Sequence, residues 1–399
     1  MEPSGGEIAA KRANASGDDA GAGEDLLSKL PDDTLVLILR RLDTAAAGRT
    51  SVLSRRWRRV WRLLPELRFL SSLEPRLIAS VLADHEAALR YLLVETLDAA
   101  AESVGNLLTA AAPRLSGGLV FENRAPGRNA SGDGEEAGER GVVELPCLEN
   151  ATAVTLDLGF LGLAVPPAGV FTRLTKICLK RVRFQASLTI VATALKSLTV
   201  ECFFFVDIDQ PDPVANISAP QLKRLDWMCS YGPNSVNLGN LEQLQQLGSP
   251  FFVVYGIEGA QQNRACLGLL QRFKVVQHLC LRLVYMQDID DCQYLMEDMR
   301  MLPDITSLSL AVLANGHAFG ASSFHVLRMC TGIRKLMLAL KYYPYPEAQL
   351  ACPSGCICRQ QTDWKTDQLL LNCLQEVDIT GLKGAEHEIA FVEKHENNF

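Results

Sequence analysis

Three cysteines lie close together near the C-terminal end of the sequence, at Cys352, Cys356 and Cys358. Thiolates and imidazoles at such short spacings are common ligands of tetrahedral zinc, which takes four of them. Because the cluster supplies three, a fourth donor such as Cys373 or His387 would have to come from elsewhere in the fold. A turn that carries reduced thiols is the simpler interpretation, so we predict no metal and no other cofactor.

Common catalytic signatures are missing from the sequence. The His-Glu pairs that begin at His85 and His387 lack the second histidine of a zinc-protease helix. There is no glycine-rich phosphate loop and no G-x-S-x-G nucleophile elbow. The acidic cluster at 288–291 lacks the glycine and glutamate of a calcium loop. We therefore predict that the protein is not an enzyme.

A basic segment between residues 55 and 62 has two interpretations. Arginines interleaved with aromatic residues can bind phosphates or act as a nuclear import signal. They can also form a solvated helix face whose aliphatic stems pack against the aromatic rings. We favour the second interpretation and do not expect nucleic acid as a partner. The residues are Arg55, Arg56, Arg58, Arg59 and Arg62, interleaved with Trp57 and Trp61.

The composition of the chain that positions these residues indicates a globular protein. Its 399 residues are 48% hydrophobic and 21% charged, the ordinary balance of a globular protein. The net charge of −7 argues against a protein that coats nucleic acid or anionic membranes. The first 23 residues have no apolar stretch, and no apolar run reaches the ~20 residues that span a bilayer. Twelve cysteines are too few for a disulfide scaffold. We expect a cytoplasmic or nuclear protein, or both, with no membrane partner.

One apolar template, apolar-x-x-apolar-x-apolar, recurs along the chain at spacings of 21 to 29 residues over much of its length. This is the signature of leucine-rich repeats, in which each unit contributes one short strand to a parallel sheet. The nine copies are Leu89/Leu92/Val94, Ala151/Val154/Leu156, Leu174/Ile177/Leu179, Leu195/Leu198/Val200, Leu222/Leu225/Trp227, Val276/Leu279/Leu281, Ile305/Leu308/Leu310, Ile333/Leu336/Leu338 and Leu374/Val377/Ile379.

The repeats depart from the consensus because the usual asparagine after the last leucine is missing. The sequence therefore predicts the α/β class, with an irregular leucine-rich-repeat solenoid that has a parallel sheet and helices or loops on its outer face. A glycine-rich, acidic patch at 116–141 is typical of a solvated insertion. The residues in place of the asparagine are Val182, Phe203, Val284 and Leu313.

Three short helices are predicted between residues 31 and 64. The first begins at Pro31, the second runs from Thr44 to about Val52, and Ser54 caps the third. Their apolar stripes exceed what so small a unit can bury, which indicates a partner surface. The stripes are Leu35, Ile38, Leu39 and Leu42 in the first helix, and Trp57, Val60, Trp61 and Leu64 in the third.

This segment, DLLSKLPDDTLVLILRRLDTAAAGRTSVLSRRWRRVWRLLPELRF, resembles an F-box of the kind found in plant F-box/leucine-rich-repeat proteins. The resemblance implies docking onto a Skp-type adaptor and, through it, onto the cullin of an SCF ubiquitin ligase. Gly48 departs from the motif, where an apolar helix residue is usual, and we expect it to weaken the second helix. The docking residues that the resemblance implies are Leu30, Pro31, Leu35, Ile38, Leu39, Leu53 and Trp57.

The C-terminal text, with CTGIRKLMLAL followed by W-x-T-D-Q-L-L-L, is similar to the FBD region that ends many of these plant proteins. Here the pattern stops at Phe399, so we expect a shortened region. The predicted organisation is a disordered leader at 1–23, an F-box at 24–69, a repeat solenoid at 70–320 and FBD-like terminal repeats at 321–399.

The resemblance implies a non-catalytic substrate-recognition subunit of an SCF-type ubiquitin ligase. In that function, the F-box docks onto the adaptor and the repeats bind a protein substrate. The alternative is a leucine-rich-repeat interaction scaffold without ubiquitin ligase function.

Overall fold

The computed structural model describes residues 26–27, 29–70, 73–125, 140–166, 171–184, 187–201, 214–229, 231–232, 234–341, 352, 355–361 and 363–396. The chain divides into two compact units, Met1–Trp61 and Arg62–Phe399. The leader predicted at 1–23 lies outside the described residues. Within the described ranges, every helix is too short or too polar to cross a membrane.

The first unit contains the three helices that the sequence predicts: α1 (Asp32–Leu39), α2 (Thr44–Arg49) and α3 (Arg55–Trp61). Side chains cap two of them. The carboxylate of Asp43 accepts the Ala46 N–H at 2.6 Å, and the Ser54 hydroxyl accepts the Trp57 N–H at 3.3 Å. Both caps satisfy backbone donors that the first turn of a helix leaves unpaired.

The core of the helical unit is small. Ile38 and Leu42, two members of the apolar stripe predicted for the first helix, are exposed at 37% and 44%. Because α1 ends at Leu39, the stripe covers two turns rather than three. The buried apolar residues of the described part of this unit are Leu35, Leu39, Ala47 and Val60.

The second unit is built mainly from strands. They are β1 (Glu66–Phe69), β2 (Leu89–Leu97), β3 (Leu115–Arg124), β4 (Val142–Glu144), β5 (Ala153–Asp157), β6 (Gly162–Ala164), β7 (Lys176–Lys180), β8 (Arg183–Phe184), β9 (Ser187–Val191), β10 (Ser197–Glu201), β11 (Val214–Ser218), β12 (Arg224–Trp227), β13 (Val236–Asn237), β14 (Gln246–Val253), β15 (Tyr255–Gly256), β16 (His278–Val284), β17 (Gln293–Tyr294), β18 (Ser307–Leu313), β19 (Lys335–Lys341) and β20 (Glu376–Thr380).

Twelve strands form one sheet, in the order β1-β2-β3-β5-β7-β10-β12-β14-β16-β18-β19-β20, with every pair parallel. The strands follow their order in the chain. The predicted α/β class with a large parallel sheet is therefore confirmed. The second and third apolar positions of all nine template copies fall on strands of this sheet. The central positions of the copies pair in one row, which Leu119 of β3 and Leu247 of β14 complete: Leu92, Leu119, Val154, Ile177, Leu198, Leu225, Leu247, Leu279, Leu308, Leu336 and Val377.

Helices and three small sheets accompany the main sheet. The helices are α4 (Pro75–Asp84), α5 (Ala101–Ala111), α6 (Gln261–Arg272), α7 (Gly320–Arg328) and α8 (Glu386–Glu396). The small sheets are β4-β6-β8 and β9-β11-β13, both parallel, and the antiparallel pair β15-β17. Helix α5 buries one apolar face, which consists of Ala101, Val104, Leu107, Leu108 and Ala111.

The structure corrects the insertion predicted at 116–141. Its first part is strand β3, which lies between β2 and β5 in the sheet. The apolar template did not detect this strand because Gly117 and Gly118 occupy positions within it. Gly117 is required there, because a Cβ atom would lie 2.1 Å from the carbonyl oxygen of Arg90 on β2. Residues 126–139 of the predicted insertion lie outside the described residues.

The C-terminal region contains β19, β20 and α8. Phe391 of α8 is fully buried, and its ring lies 5.3 Å from that of Phe319 and 5.9 Å from that of Trp364. The carboxylate of Glu388 accepts three backbone N–H groups at the start of α8, from Lys383, Gly384 and Ala385. These contacts fix the helix next to the loop that follows β18.

Candidate functional site

Asp32 joins the beginning of α1 to α3. Its two carboxylate oxygens accept hydrogen bonds from Arg56 Nε at 2.8 Å and Arg59 Nη2 at 2.7 Å. Arg56 also donates to the carbonyl oxygen of Leu30. Hydrogen bonds from Arg59 and Arg56 hold the pKa of Asp32 below its usual range. The two arginines therefore orient the segment that begins the helical unit.

Most arginines of the basic segment at 55–62 have acidic partners within the protein. Arg56 and Arg59 bind Asp32, while Arg62 lies 3.6 Å from the carboxylate of Asp84 and 3.7 Å from that of Glu86. Three of the five arginines thus have acidic partners within the protein. This arrangement supports the interpretation as a structural and solvated face over the phosphate-binding one.

The seven residues expected to dock onto an adaptor fall into three environments. Two are core residues, 0% and 1% exposed, which hold α1 in place. Two are partly exposed, and three are exposed. Their contact with a partner stays a prediction. The core residues are Leu35 and Leu39, the partly exposed ones are Leu30 and Trp57, and the exposed ones are Pro31, Ile38 and Leu53.

Among its described residues, the helical unit leaves more large apolar side chains exposed than it buries. Leu53 is 66% exposed and Val52 is 81% exposed, both at the short 3-10 turn before α3. Exposed aliphatic side chains concentrated in one small unit are typical of a protein–protein contact surface. The exposed set among the described residues up to Trp61 is Leu26, Leu27, Leu37, Ile38, Leu42, Val52 and Leu53.

In the sheet unit, His317 lies next to the three clustered cysteines. The ligand atoms of His317, Cys352, Cys356 and Cys358 all lie within 4.8 Å of one another. Cys352 Sγ is 3.5 Å from Cys358 Sγ, and Cys356 Sγ is 3.4 Å from His317 Nδ1. Three of the four residues are buried, and Cys352 is partly exposed. The cluster therefore has a complete set of four nitrogen and sulfur donors.

Two local turns position these donors. Asn315 and Gly316 have φ values of 47° and 83° in the loop after β18, and this left-handed turn brings His317 to the cluster. Cys356 and Cys358 flank the first residue of a 3-10 turn, Ile357–Arg359. Cys356 is the N-cap of this turn, with a non-helical ψ of 141°, and Cys358 lies within it; both thiols reach the cluster.

The fourth donor differs from the two residues considered on sequence grounds. Cys373 is exposed, and His387 is not part of the four-residue group, although its ring lies 5.8 Å from that of Phe319. His317 is 35 positions before Cys352 in the chain, so no local spacing could have indicated it. The pairing of β18 with β19 brings the two segments together.

Burial sets the protonation of this cluster in the metal-free chain. It raises the pKa of the Cys352 and Cys358 thiols and lowers the pKa of His317. The imidazole is therefore in the neutral form that can coordinate a metal, whereas the thiols of Cys352 and Cys358 would have to release a proton on metal binding.

Comparison with known proteins identifies the helical segment. Residues 27–69 match the F-box domain family. This match includes all three helices of the first unit and continues through β1 of the sheet unit. It covers only the N-terminal part of the chain.

Relatives match the same short stretch. A putative F-box protein of Arabidopsis thaliana is 56% identical over 46 residues, which are 12% of this chain and 10% of that protein. An F-box/FBD/LRR-repeat protein of the same plant is 52% identical over 52 residues, or 13% of this chain and 12% of the relative. An F-box/LRR-repeat protein is 68% identical over 37 residues, or 9% and 8%. The matched stretch thus spans about a tenth of these curated relatives' length. No solved structure matches the chain. The protein therefore carries an F-box domain at its N-terminal end, similar to those of plant F-box proteins.

Proposed function

We propose that this protein is a substrate-recognition subunit of an SCF-type ubiquitin ligase, with no catalytic activity of its own. In this proposal, the helical unit docks onto a Skp-type adaptor and through it onto a cullin, and the sheet unit binds a protein substrate. The observation that carries the proposal is the F-box match at 27–69, in a unit that exposes a set of large apolar side chains.

The docking surface is proposed to consist of the exposed members of the predicted set. Ile38 and Leu53 are accessible to a partner without any rearrangement of the helical unit. Leu35 and Leu39 would act by holding α1 in position, because both side chains are buried. Interface residues that fill a partner's apolar pocket typically contribute far more binding energy than the contacts around them.

Co-purification with a Skp-type adaptor tests this docking. We expect the full chain to bind the adaptor, and Ile38→Asp and Leu53→Asp each to weaken binding by about tenfold or more, since a charge would be buried at an apolar contact. Both side chains are exposed, so the variants should fold normally. Ile257→Asp is the matched control, because Ile257 is 84% exposed in the sheet unit. Unchanged binding in both F-box variants would contradict the docking surface.

We further propose that the twelve-stranded sheet is an irregular leucine-rich-repeat solenoid and that residues 321–399 are its FBD-like end. Support comes from the nine template copies, whose second and third positions all lie on parallel strands in one register, and from the order of these strands in the sheet, which follows the chain. An array of this kind presents one side chain of each strand on a common face. One row of paired residues crosses its centre, with Lys176, Arg224 and His278 exposed, Ser197 and Gln246 partly exposed and Ser307 buried.

This face is our proposed substrate surface. Holding a substrate there would raise the effective concentration of its lysines near a ubiquitin-loaded enzyme. The test uses proteins that co-purify with the full chain and accumulate when it is deleted. The double variant Arg224→Glu/His278→Glu should release such a protein and keep the adaptor. If the double variant still co-purifies with both the substrate protein and the adaptor, the assignment of the face is contradicted.

The alternative is a leucine-rich-repeat scaffold without ligase function. The feature that favours it is the short α2, with Gly48 where an apolar residue is usual. A wild-type chain that is folded and fails to bind the adaptor would support this alternative over the ligase proposal.

A further inference from the structure

We propose that His317, Cys352, Cys356 and Cys358 form a structural zinc site that joins two segments of the sheet unit. This inference is independent of the proposed ligase function, because it concerns a cluster outside the F-box. It replaces the sequence-based interpretation of the cysteines as reduced thiols in a turn.

The separations within the cluster are close to those of a zinc tetrahedron. With Zn–S bonds of about 2.3 Å and Zn–N bonds of about 2.0–2.1 Å, two sulfur ligands lie about 3.8 Å apart, and sulfur and nitrogen about 3.6 Å apart. The corresponding distances here are 3.5 Å between Cys352 and Cys358 and 3.4 Å between Cys356 and His317. All four donor atoms lie within 4.8 Å of one another. Small side-chain movements, outward within these two pairs and inward for the more distant donors, would therefore place every donor at bonding distance from one ion.

The surroundings orient the donors toward such an ion. His317 Nε2 lies 3.2 Å from the carbonyl oxygen of Gln287. A carbonyl only accepts, so this nitrogen carries the proton and Nδ1 is left to face Cys356. Metal-bound histidines almost always donate their second ring N–H to a carbonyl or carboxylate in this way. The Ala318 N–H also donates to Cys358 Sγ at 3.4 Å, which would stabilise a thiolate.

The donor set selects both the metal and its role. Three thiolates and one imidazole are soft ligands that suit zinc and do not suit calcium or magnesium. Four protein ligands complete the tetrahedron and leave no position for water or substrate, which is the arrangement of a structural site. The ion would join the loop after β18 to the segment that follows β19, and so fix the chain at the end of the sheet near α8.

Metal analysis of the full-length chain tests the proposal. The protein is purified under reducing conditions without chelators, and zinc is measured by mass spectrometry. We expect one zinc ion per chain. Exchange with Co²⁺ should give the visible bands of a tetrahedral ion together with thiolate-to-cobalt charge transfer, and a chelator should lower the unfolding temperature.

Variants assign the ligands. Cys356→Ser and His317→Ala should lose zinc to a chelator that leaves the wild type loaded, and His317→Cys should retain it, because a fourth thiolate also ligates zinc. Cys373→Ser is the matched control and should keep full occupancy. Substoichiometric zinc in the wild type, or equal loss in Cys373→Ser and His317→Ala, would overturn the site. So would alkylation of all three cluster cysteines at the rate of the exposed Cys147. Because occupancy and cobalt spectra are measured on the wild type, misfolding of a variant does not prevent the test.

Discussion

At the residue scale, His85 shows how burial links a single side chain to pH. It is 1% exposed, and its Nε2 lies 2.8 Å from the carbonyl oxygen of Leu64. Burial lowers its pKa, and the nearby Arg114 acts in the same direction, whereas the Leu64 carbonyl and Glu86 oppose the shift. The imidazole is therefore neutral in the folded protein at neutral pH.

The expected consequence is loss of stability on mild acidification. Because the pKa of His85 is lower in the folded chain than in the unfolded one, the unfolded chain binds the proton first as the pH falls. This contribution to stability is complete above the ordinary histidine pKa of about 6.5 and is lost as the pH falls toward the folded value.

His85→Gln tests this expectation. A glutamine amide can donate to the Leu64 carbonyl without titrating, so the free energy of unfolding should fall less between neutral pH and pH ~5 than in the wild type. Other buried histidines contribute to both proteins, and the difference between the two pH profiles isolates His85. Parallel profiles would show that this residue does not carry the dependence.

The position of Asp32 could be predicted from the sequence, but its partners could not. Its place in the first turn of α1 follows from the Leu-Pro-Asp-Asp motif, since acidic residues are favoured at helix N-termini. Its partners Arg56 and Arg59 are 24 and 27 positions later and depend on how α3 packs. His317 eluded prediction for the same reason. Residues that act locally are readable from spacing, and residues brought together by packing are not.

At the element scale, α2 is shorter than predicted. The sequence indicated a helix from Thr44 to about Val52, whereas the α-helix ends at Arg49 and a 3-10 turn covers Thr50–Val52. Gly48 lies one residue before this end. A glycine inside a helix leaves the unfolded chain with more backbone freedom to lose, so it lowers helix stability.

Gly48→Ala should therefore stabilise the helical unit by about 1 kcal/mol. There is room for the added methyl group, because the nearest atom to a Cβ at this position, on the Trp61 ring, is 4.0 Å away. Hydrogen exchange of the amides in residues 44–52 measures the effect directly, and slower exchange is expected. Gly320→Ala in α7 is the opposing control: its Cβ would lie 2.4 Å from the Trp364 ring, so this variant should destabilise the chain. Faster exchange in Gly48→Ala would refute the argument.

The apolar template predicted nine of the twelve main strands, and the three omissions have separate causes. β1 follows the same pattern, as Leu64, Leu67 and Phe69, but it lies inside the segment assigned to the F-box. In β3, Leu115 is followed by serine and two glycines, so that Ser116 stands where the template has its first apolar residue. In β14, Leu247 is followed by glycine, serine and proline, and the register with β16 shifts there. Periodicity detects strands whose inward positions are all aliphatic, and it fails where backbone approach or a bulge decides the residue.

At the scale of the whole molecule, the boundary of the sequence family and that of the folded units differ. The F-box match ends at residue 69, whereas the helical unit ends at Trp61. Between them lies β1, which pairs with β2 of the sheet, with Leu67 and Phe69 0% and 4% exposed. The preceding residues are fixed to the same unit, because the carbonyl oxygen of Arg62 accepts the N–H groups of Glu86 and Ala87.

This difference predicts that two truncated chains will behave differently. A chain that begins at Arg62 retains β1 and should give a folded, monomeric sheet unit. A chain that begins at Leu70 loses three buried side chains, Leu64, Leu67 and Phe69. Each of them stabilises by about 1.5–3 kcal/mol, and their loss exposes the edge of β2 to pairing with other copies. This shorter chain should unfold at a lower temperature and elute as aggregates in size-exclusion chromatography. Leu67→Asp in the longer chain separates the two effects, since it removes apolar burial and keeps the strand's length. Equal unfolding temperatures for the chains that begin at Arg62 and Leu70 would contradict this prediction. They would mean that β1 does not stabilise the sheet unit and that the boundary of the F-box match at residue 69 is also the boundary of the folded units.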